Sequence, residues 1–251
     1  MDDAEAAVIV LVTRSRTQMD VYVEKLWLSN GLVIYSNENT PACEIFREVF
    51  KEGIYTPAIL PALKAGDVVI DIGANIGLFS LLAARVDSDV RVYAFEPASL
   101  NFLLLDKNIH ENRATNIHPI RCAVSATTGM RTLYLDRCSV CNRAVSTNNP
   151  ELNERCVGTE VVESVSLDDV FIKNGIRRCN LLKVDVEGSE YDIFFSASPS
   201  TLARIDAIAM EYHDYLVAHS GVELAKWLEN KGFVVSINPG EGVGMIYARR
   251  F

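Results

Sequence analysis

Positive charge and long apolar runs are both scarce in this chain of 251 residues. Acidic side chains outnumber Lys and Arg by 33 to 24, the formal net charge is −9, and no long basic run occurs. Proteins that bind nucleic acid through its phosphates need concentrated positive charge, which argues against that class. The apolar run at residues 6–12 is far shorter than the roughly 20 residues that cross a membrane.

The beginning of the chain also lacks the marks of export. The acidic start Met-Asp-Asp is missing the basic region of a secretion signal, so we expect a cytoplasmic protein with free thiols. Of the six cysteines, Cys138 and Cys141 form the one CxxC motif, and Cys156 would supply a third soft ligand. A zinc site needs four ligands, so we predict no structural metal here.

A glycine turn between a strand and a helix is the feature around which the chain is organised. Residues 68–72 (VVIDI) are apolar and β-branched apart from Asp71, as in a parallel strand buried on both faces. Gly73 and Gly77 follow, and residues 78–84 then have a helical pattern. A buried strand, a glycine turn and a helix start form a nucleotide-type site. Glycines allow a ligand to approach the backbone closely.

The spacing of this turn distinguishes between ligands. Dinucleotide sites have the pattern G-x-G-x-x-G and P-loops end in Lys-Ser/Thr, and neither pattern occurs here. An acid, Asp71, lies two residues before Gly73, which favours a ligand with a cationic or zwitterionic end. Glu96 ends the next predicted strand, residues 90–95, where an acid can accept both hydroxyls of a ribose. The alternative is an ordinary βαβ unit with solvated acids.

A second group of polar residues follows two later strands. Asp185 and Glu187 come after the apolar residues 181–184, and being two apart in a strand they are expected on one face. Glu211 and His213 end the strand predicted at residues 205–210. Ligands of open α/β sheets bind at the carboxyl ends of strands, so we expect these four side chains to converge. Glu190 has a simpler interpretation, as a negative charge in the first turn of a helix.

These residues resemble the FkbM family of S-adenosylmethionine-dependent methyltransferases. The matching segments are DIGANIG (71–77), FEP (95–97), SLDD (166–169) and LKVDVEGSE (182–190). The resemblance covers residues 55–213; the last segment is specific to the family, whereas the first two are shared by many class I methyltransferases. It implies a Rossmann-like α/β sheet of strand order 3-2-1-4-5-7-6, with the antiparallel last strand supplied by the hairpin at residues 233–248. It also implies that the end of the third strand, residues 117–124, lies against the adenine.

The N-terminal residues 1–66 are predicted to form a cap on the catalytic domain, residues 67–251. Asn30-Gly31 between two apolar segments indicates a β-hairpin with a two-residue turn. Thr40-Pro41 begins a helix that ends near Gly53, and Thr56-Pro57 begins a second one. The cap can fold over the cofactor, with Tyr55 nearest its methionine end; alternatively Tyr55 only packs the helix junction. Residues 137–160 are predicted to be an irregular insertion beside the acceptor.

These features predict transfer of a methyl group from S-adenosylmethionine to an oxygen of a small molecule, sugar or peptide. The rivals are an NAD(P)-dependent oxidoreductase and a non-catalytic nucleotide-binding subunit. The expected cofactor-binding residues are Asp71, Gly73, Ala74, Asn75, Gly77, Glu96, Pro97, Ala123, Val124 and Tyr55.

The expected catalytic residues are His213, Glu211, Asp185 and Glu187. An unperturbed His213, with its pKa near neutrality, would accept the proton of the acceptor. In the alternative, the carboxylates and His213 bind Mg²⁺ or Mn²⁺, which lowers the acceptor pKa. No aspartate-rich ligand loop is evident, so the metal-free route is favoured.

Overall fold

The structure is a computed structural model that describes residues 12–16, 22–55, 63–145 and 149–250. The helix predicted to begin at Thr56-Pro57 lies outside the described residues. In chain order the strands are β1 (Val12–Arg16), β2 (Tyr22–Trp27), β3 (Val33–Asn37), β4 (Val68–Ile72), β5 (Arg91–Phe95), β6 (Ile117–Ile120), β7 (Ala123–Ser125), β8 (Gly129–Asp136), β9 (Cys156–Ser166), β10 (Leu181–Val184), β11 (Ala207–His213), β12 (Val234–Asn238) and β13 (Val243–Arg249). The α-helices are α1 (Ala42–Phe46), α2 (Leu78–Ala84), α3 (Ser99–Glu111), α4 (Pro150–Arg155), α5 (Leu167–Lys173), α6 (Glu190–Ser196), α7 (Pro199–Leu202) and α8 (Gly221–Asn230).

A seven-stranded sheet of order β12-β13-β11-β10-β4-β5-β6 forms the centre of the molecule. Numbered along the chain, this is the order 3-2-1-4-5-7-6 that the family resemblance implies. Strands β6, β5, β4, β10 and β11 are parallel, and β13 pairs with β11 antiparallel. All residues of β4 and β10 are buried, as expected for parallel strands covered on both faces. The carboxyl ends of these strands therefore meet at one edge of the sheet.

The N-terminal cap contains an antiparallel sheet of order β1-β2-β3. The hairpin between β2 and β3 is confirmed, but its turn has three residues rather than two. Leu28 N–H donates to Leu32 O at 2.8 Å, and only Gly31 in the turn has a left-handed φ, 83°. The Asn30 side chain accepts from Leu32 N–H at 3.1 Å, a local turn that requires no positive φ at Asn30.

The cap packs firmly on helix α3. Asn108 accepts from the Tyr35 N–H at 2.6 Å and donates to the Tyr35 carbonyl at 3.0 Å, while Asn112 makes the equivalent pair with Val33. These asparagines take up the free edge of β3, which would otherwise be open to another strand. Apolar residues of the cap and of the central sheet belong to one buried cluster. The division of the chain at residue 66 remains a prediction.

The helix predicted after Thr40-Pro41 is present as α1, but it continues as a π-helical segment, Arg47–Glu52. Gly53 ends it with a left-handed φ of 63°. Such π-helical turns are frequent at functional sites. Within the described ranges, no helix is both long and apolar enough to cross a membrane.

A second small sheet, of order β7-β9-β8, corrects two predictions. The predicted third strand does not run from residue 117 to 124: β6 ends at Ile120, the chain bends as Cys122 N–H donates to the Ile120 carbonyl, and β7 pairs with β9 instead. Residues 137–160 are also more regular than predicted, because they contain α4 and the beginning of β9. Asn149 caps α4 by accepting from the Glu151 N–H at 3.0 Å.

Candidate active site

A cavity of about 240 Å³ lies at the carboxyl edge of the central sheet. The glycine turn after β4 forms one end of it, and the tips of β10 and β11 form the other. Segments outside the sheet complete its walls, namely the helical region of the cap, β7 and residues 139–144 of the insertion. The insertion was expected beside the acceptor pocket, and the structure brings it to this cavity.

The turn after β4 depends on glycine for steric reasons. Gly73 has a φ of 78°, and a Cβ at this residue would lie 1.7 Å from the carbonyl oxygen of Asp185. Gly77 has a φ of 91°, and its Cβ would meet the side chain of Leu105 at 2.6 Å. The N–H groups of Gly73 and Ala74 both donate to the Phe95 carbonyl, which ties the turn to the end of β5. Both glycines are therefore required by the fold; Gly73 also lines the cavity, whereas Gly77 is not among its lining residues.

Glu96 lies beside this turn and is almost fully buried. One carboxylate oxygen accepts from the Asn75 N–H and the other from the Ala98 N–H, each at 2.9 Å. Burial raises the pKa of Glu96 to about 7, although these backbone hydrogen bonds act in the opposite direction. Each oxygen retains a second lone-pair site, so Glu96 is a fixed hydrogen-bond acceptor on the cavity wall. Pro97 lines the cavity beside it.

Asp71 does not reach the cavity in the way that the sequence predicted. Its side chain is fully buried, accepts from the Ser80 hydroxyl at 2.6 Å and lies 3.3 Å from the ammonium group of Lys183. Lys183 in turn donates to the Gly73 carbonyl at 2.6 Å and approaches Asp185 at 3.7 Å. Burial would lower the pKa of Lys183, but Asp71 and Asp185 outweigh it and raise that pKa. Asp71 therefore neutralises Lys183 behind the glycine turn.

Lys183 is a cavity-lining residue to which the sequence analysis gave no role. It lines the cavity, and the other residues of its strand, β10, are apolar. A lysine within a buried strand needs a carboxylate partner. An isolated lysine in an apolar strand is therefore the feature of the sequence that could have pointed to the Lys183–Asp71 pair.

The predicted convergence of polar side chains at the β10 and β11 tips is present. The Tyr55 hydroxyl donates to Asp185 at 2.8 Å and to Glu211 at 3.1 Å, so the cap closes directly over these carboxylates. His213 Nε2 lies 3.6 Å from an oxygen of Glu211 and 3.6 Å from an oxygen of Glu187. Donor atoms of Asp185, Glu211 and His213 lie within 4.8 Å of one another, close enough to hold a divalent cation.

His213 differs from the unperturbed histidine that was predicted. It is buried, and its Nδ1 lies 2.9 Å from Glu190. Burial alone would lower its pKa, but Glu190, Glu211 and Glu187 together raise the pKa of His213 well above the ordinary histidine value. The raised pKa favours the charged form of His213, in which neither ring nitrogen has a free lone pair for an incoming proton. The assignment of His213 as the base stays a prediction.

Glu190 is more than a charge at the start of α6. It is fully buried, and the oxygen that faces His213 also accepts from the N–H groups of Val186 and Gly188, each at 3.2 Å. The sequence suggested only the helix-terminal role of Glu190, because its partner His213 lies 23 residues later, at the end of strand β11. Glu190 therefore fixes both the loop after β10 and the histidine of β11.

Glu187 reaches the cluster by a different route from the one predicted. Strand β10 ends at Val184, and Glu187 has a left-handed φ of 51°, so the strand period does not relate it to Asp185. Its second oxygen accepts from the Tyr215 hydroxyl at 3.1 Å. Burial raises the pKa of Glu187 to about 7, although His213 opposes the shift. Left-handed backbone in a non-glycine residue is typical of functional loops.

The remaining predicted residues lie on the walls of the cavity. Ala123 and Val124 line it from β7 rather than from the end of the third sheet strand. Glu44 and Glu48 line it from the cap, and they were not predicted. Burial, Glu211 and Asp185 raise the pKa of Glu48 to about 7. All six cysteines are free thiols.

The strand order, the glycine turn after the first sheet strand and the buried acid after the second define a class I S-adenosylmethionine-dependent methyltransferase. A family model described as the methyltransferase FkbM domain matches residues 71–235. The chain belongs to the FkbM methyltransferase family.

Individual relatives agree with this assignment. The 31-O-demethyl-FK506 methyltransferase FkbM of Streptomyces tacrolimicus is 32% identical over 86% of this chain and 91% of that protein. The methyltransferase sdnD of Sordaria araneosa is 28% identical over 88% of this chain and 95% of its own. A solved magnesium protoporphyrin IX methyltransferase from Synechocystis is 11% identical, with a TM-score of 0.49 over 84% of this chain and 82% of that one. The family assignment rests on the sequence matches alone.

Proposed function

We propose that this enzyme methylates a hydroxyl oxygen of a small molecule of the secondary-metabolite type. The observation that carries the proposal is the single cavity that runs from the Gly73 turn and Glu96 to the polar cluster at the β10 and β11 tips. A cofactor bound at the first end and a hydroxyl held at the second would be aligned for direct displacement. S-adenosylmethionine supplies a methyl group on a positively charged sulfur when it is bound.

The residues at the first end fit this cofactor. Glu96 offers two fixed oxygens to a ribose, and Ala123 and Val124 provide an apolar wall for an adenine. Lys183 is available for a carboxylate group, and Asp71 behind it compensates its charge. This assignment gives Asp71 an indirect role in cofactor binding.

Charge at the second end supports a neutral hydroxyl acceptor over a carboxylate. Five acidic side chains line this part of the cavity, and they outnumber the two cationic side chains beside them among the described residues, Lys183 and His213; the acids are Glu44, Glu48, Asp185, Glu187 and Glu211. An anionic acceptor would enter against this field, whereas a hydroxyl can donate its hydrogen to any of the carboxylates. A hydroxyl acceptor also needs a base, and a carboxylate acceptor does not.

A metal-free mechanism is favoured by the way in which the cluster is already bonded. The Tyr55 hydroxyl lies between Asp185 and Glu211 and donates to both. A divalent cation would have to displace this hydroxyl from both carboxylates. The donor set also includes a nitrogen, whereas Mg²⁺ prefers oxygen ligands.

The proposal is tested with methyl-labelled S-adenosylmethionine and a panel of polyhydroxylated small molecules. Each acceptor is paired with an analogue in which the hydroxyl is replaced by hydrogen, an amine or a carboxylate. We expect label to be transferred to the hydroxyl compounds and to remain there after mild base, which hydrolyses methyl esters. Transfer only to the amine or the carboxylate analogues would contradict O-methylation of a hydroxyl. We expect EDTA to leave the activity unchanged; loss of activity that Mg²⁺ restores would establish the metal mechanism instead.

A further inference from the structure

We propose that Glu187 accepts the proton of the acceptor hydroxyl, and that His213 and Glu190 are positioning residues that hold Glu187 in place as a buried charged assembly. This inference rests on the proposed O-methylation. It moves the base from the histidine that the sequence indicated to a carboxylate in the loop after β10.

His213 is enclosed by carboxylates on both sides of its ring. Nδ1 lies 2.9 Å from Glu190, and Nε2 lies 3.6 Å from both Glu187 and Glu211. A neutral imidazole has one N–H and one lone pair, so it would direct a lone pair at one of these carboxylates. The doubly protonated ring has an N–H for each side. The geometry therefore favours the charged form, and the raised pKa of His213 agrees with it.

Among the four neighbouring carboxylates, Glu187 has the environment of a base. Glu190 is fully buried and is not among the residues that line the cavity. Asp185 and Glu211 share the hydroxyl of Tyr55, a buried residue of the cap, and Asp185 also lies 3.7 Å from Lys183. Both carboxylates therefore already have donors of their own on the side of the cap.

Glu187 has in addition a route to solvent. It lines the cavity, and the hydroxyl that it accepts from belongs to Tyr215, whose side chain is 44% exposed. A proton taken up by Glu187 can leave through this hydroxyl. The charged or titratable groups that face Glu187 are His213, Tyr215, Asp185, Glu190, Glu211 and, from the insertion, Cys141. Together with burial they give a pKa of about 7, which suits proton transfer at neutral pH.

The backbone holds Glu187 in this place at the cost of local strain. Its φ of 51° is followed by Gly188 at 97°. A Cβ at Gly188 would lie 3.0 Å from both Leu216 and Val145, so glycine is needed there. Glu190 accepts from the N–H groups on either side of Glu187, those of Val186 and Gly188. Glu190 thus restrains the loop and the histidine with one oxygen.

The proposed step balances in atoms and charge. The O–H bond of the acceptor breaks and its proton moves to the Glu187 carboxylate. The electron pair left on oxygen forms the new bond to the methyl carbon. The bond from that carbon to sulfur breaks, and its electron pair stays on sulfur, which becomes a neutral thioether. His213 keeps its two protons throughout.

The first test measures the protonation of His213 in the cofactor-free protein, by histidine-selective ¹⁵N NMR. The chain has 4 histidines, and the His213 signal is assigned by its loss in His213→Asn. We expect the imidazolium form to persist well above the ordinary histidine pKa, and Glu190→Gln to lower the midpoint. The matched control is Glu223→Gln, which removes the carboxylate 3.1 Å from the exposed His219 and leaves His213 unchanged. A neutral His213 at pH 7 in the parent overturns the proposal.

The second test uses kinetics with a hydroxyl acceptor. We expect Glu187→Gln to reduce turnover on the order of a hundredfold or more, with cofactor affinity by calorimetry within severalfold of the parent. The parent should show a fall in kcat/KM below about pH 7, as Glu187 becomes protonated. His213→Asn removes the cation that opposes this protonation, so the fall should move to higher pH, which a purely structural role of His213 would not cause.

Two outcomes would reject the assignment of Glu187. One is full activity in the Glu187→Gln variant. The other is loss of activity in Glu211→Gln while Glu187→Gln keeps its activity. Failure of the parent to methylate any hydroxyl would instead overturn the proposed function. The NMR measurement needs no turnover, so it still tests the His213–Glu190 arrangement in that case.

Discussion

Replacing Lys183 by methionine is the substitution with the largest expected effect on folding. The side chain of Lys183 is 4% exposed and that of its partner Asp71 is 0% exposed, so both charges are almost entirely removed from water. Methionine fills a similar volume but leaves the Asp71 carboxylate with only the Ser80 hydroxyl as a donor. It also removes the donor to the Gly73 carbonyl. The substitution therefore leaves an uncompensated charge beneath the glycine turn.

Breaking a buried ion pair by removing one partner costs about 3–5 kcal/mol. In a protein of this size that corresponds to a fall of roughly 6–20 °C in the melting temperature. The double variant Asp71→Asn/Lys183→Met removes both charges and keeps a side chain that accepts from Ser80. We expect it to recover most of the loss, because no unpaired charge remains.

The assay is urea unfolding followed by circular dichroism, with Lys25→Met as the matched control. Lys25 pairs with Glu111 at 2.7 Å on the surface, where solvent screens both charges and such pairs contribute little to stability. Because the folded-state pKa of Lys183 is raised, its contribution is complete below about pH 10.4 and is lost as the pH rises through the folded value. The difference between parent and Lys183→Met should shrink in strongly alkaline buffer. A loss no larger than that of Lys25→Met would refute the buried-pair reasoning.

Three further predictions concern the cavity. Glu96→Ala should weaken S-adenosylmethionine binding at least tenfold in calorimetry, because each charge-assisted hydrogen bond contributes roughly 1.5–3 kcal/mol; unchanged affinity would reject the ribose assignment. Gly73→Ala should abolish cofactor binding or folding, since its Cβ would lie 1.7 Å from the Asp185 carbonyl, and a fully stable, cofactor-binding variant would show that the turn can relax. Cys138→Ser/Cys141→Ser should retain methyl transfer within severalfold, and stoichiometric zinc in the parent that this variant lacks would contradict the free-thiol interpretation.

The parts of the fold that sequence predicted best are those set by local patterns. Strand β4, its glycine turn and helix α2 follow from an apolar run, two glycines and a helical period within 17 consecutive residues, 68–84. The hairpin at Asn30-Gly31 was predicted too, but the turn type depends on whether the Asn30 side chain bonds the backbone. That hydrogen bond does not follow from the residue type alone.

The parts that sequence missed depend on partners far away in the chain. The sequence predicts Asp71 to be a ligand-binding acid, whereas in the fold it pairs with Lys183 of strand β10. His213 looked like an ordinary base, because Glu190 and Glu187 surround it only after β10 and β11 pair. Strand β8 was not predicted at all, since its side chains alternate weakly and Met130 is 62% exposed. Pairing with β9, rather than its own pattern, makes it a strand.

Ser139, in the insertion, is the residue at which three distant segments of the chain meet. Its hydroxyl lies 2.7 Å from that of Thr40, its N–H donates to the Asn39 carbonyl at 3.0 Å, and its own carbonyl accepts from Asn101 at 3.1 Å. The cap and the insertion supply the outer walls of the cavity, while the sheet supplies the floor. Because Ser139 joins the insertion to the cap, the two outer walls depend on each other. Chimaeras that receive both walls from one relative should therefore show more methyl-transfer activity than chimaeras that receive one.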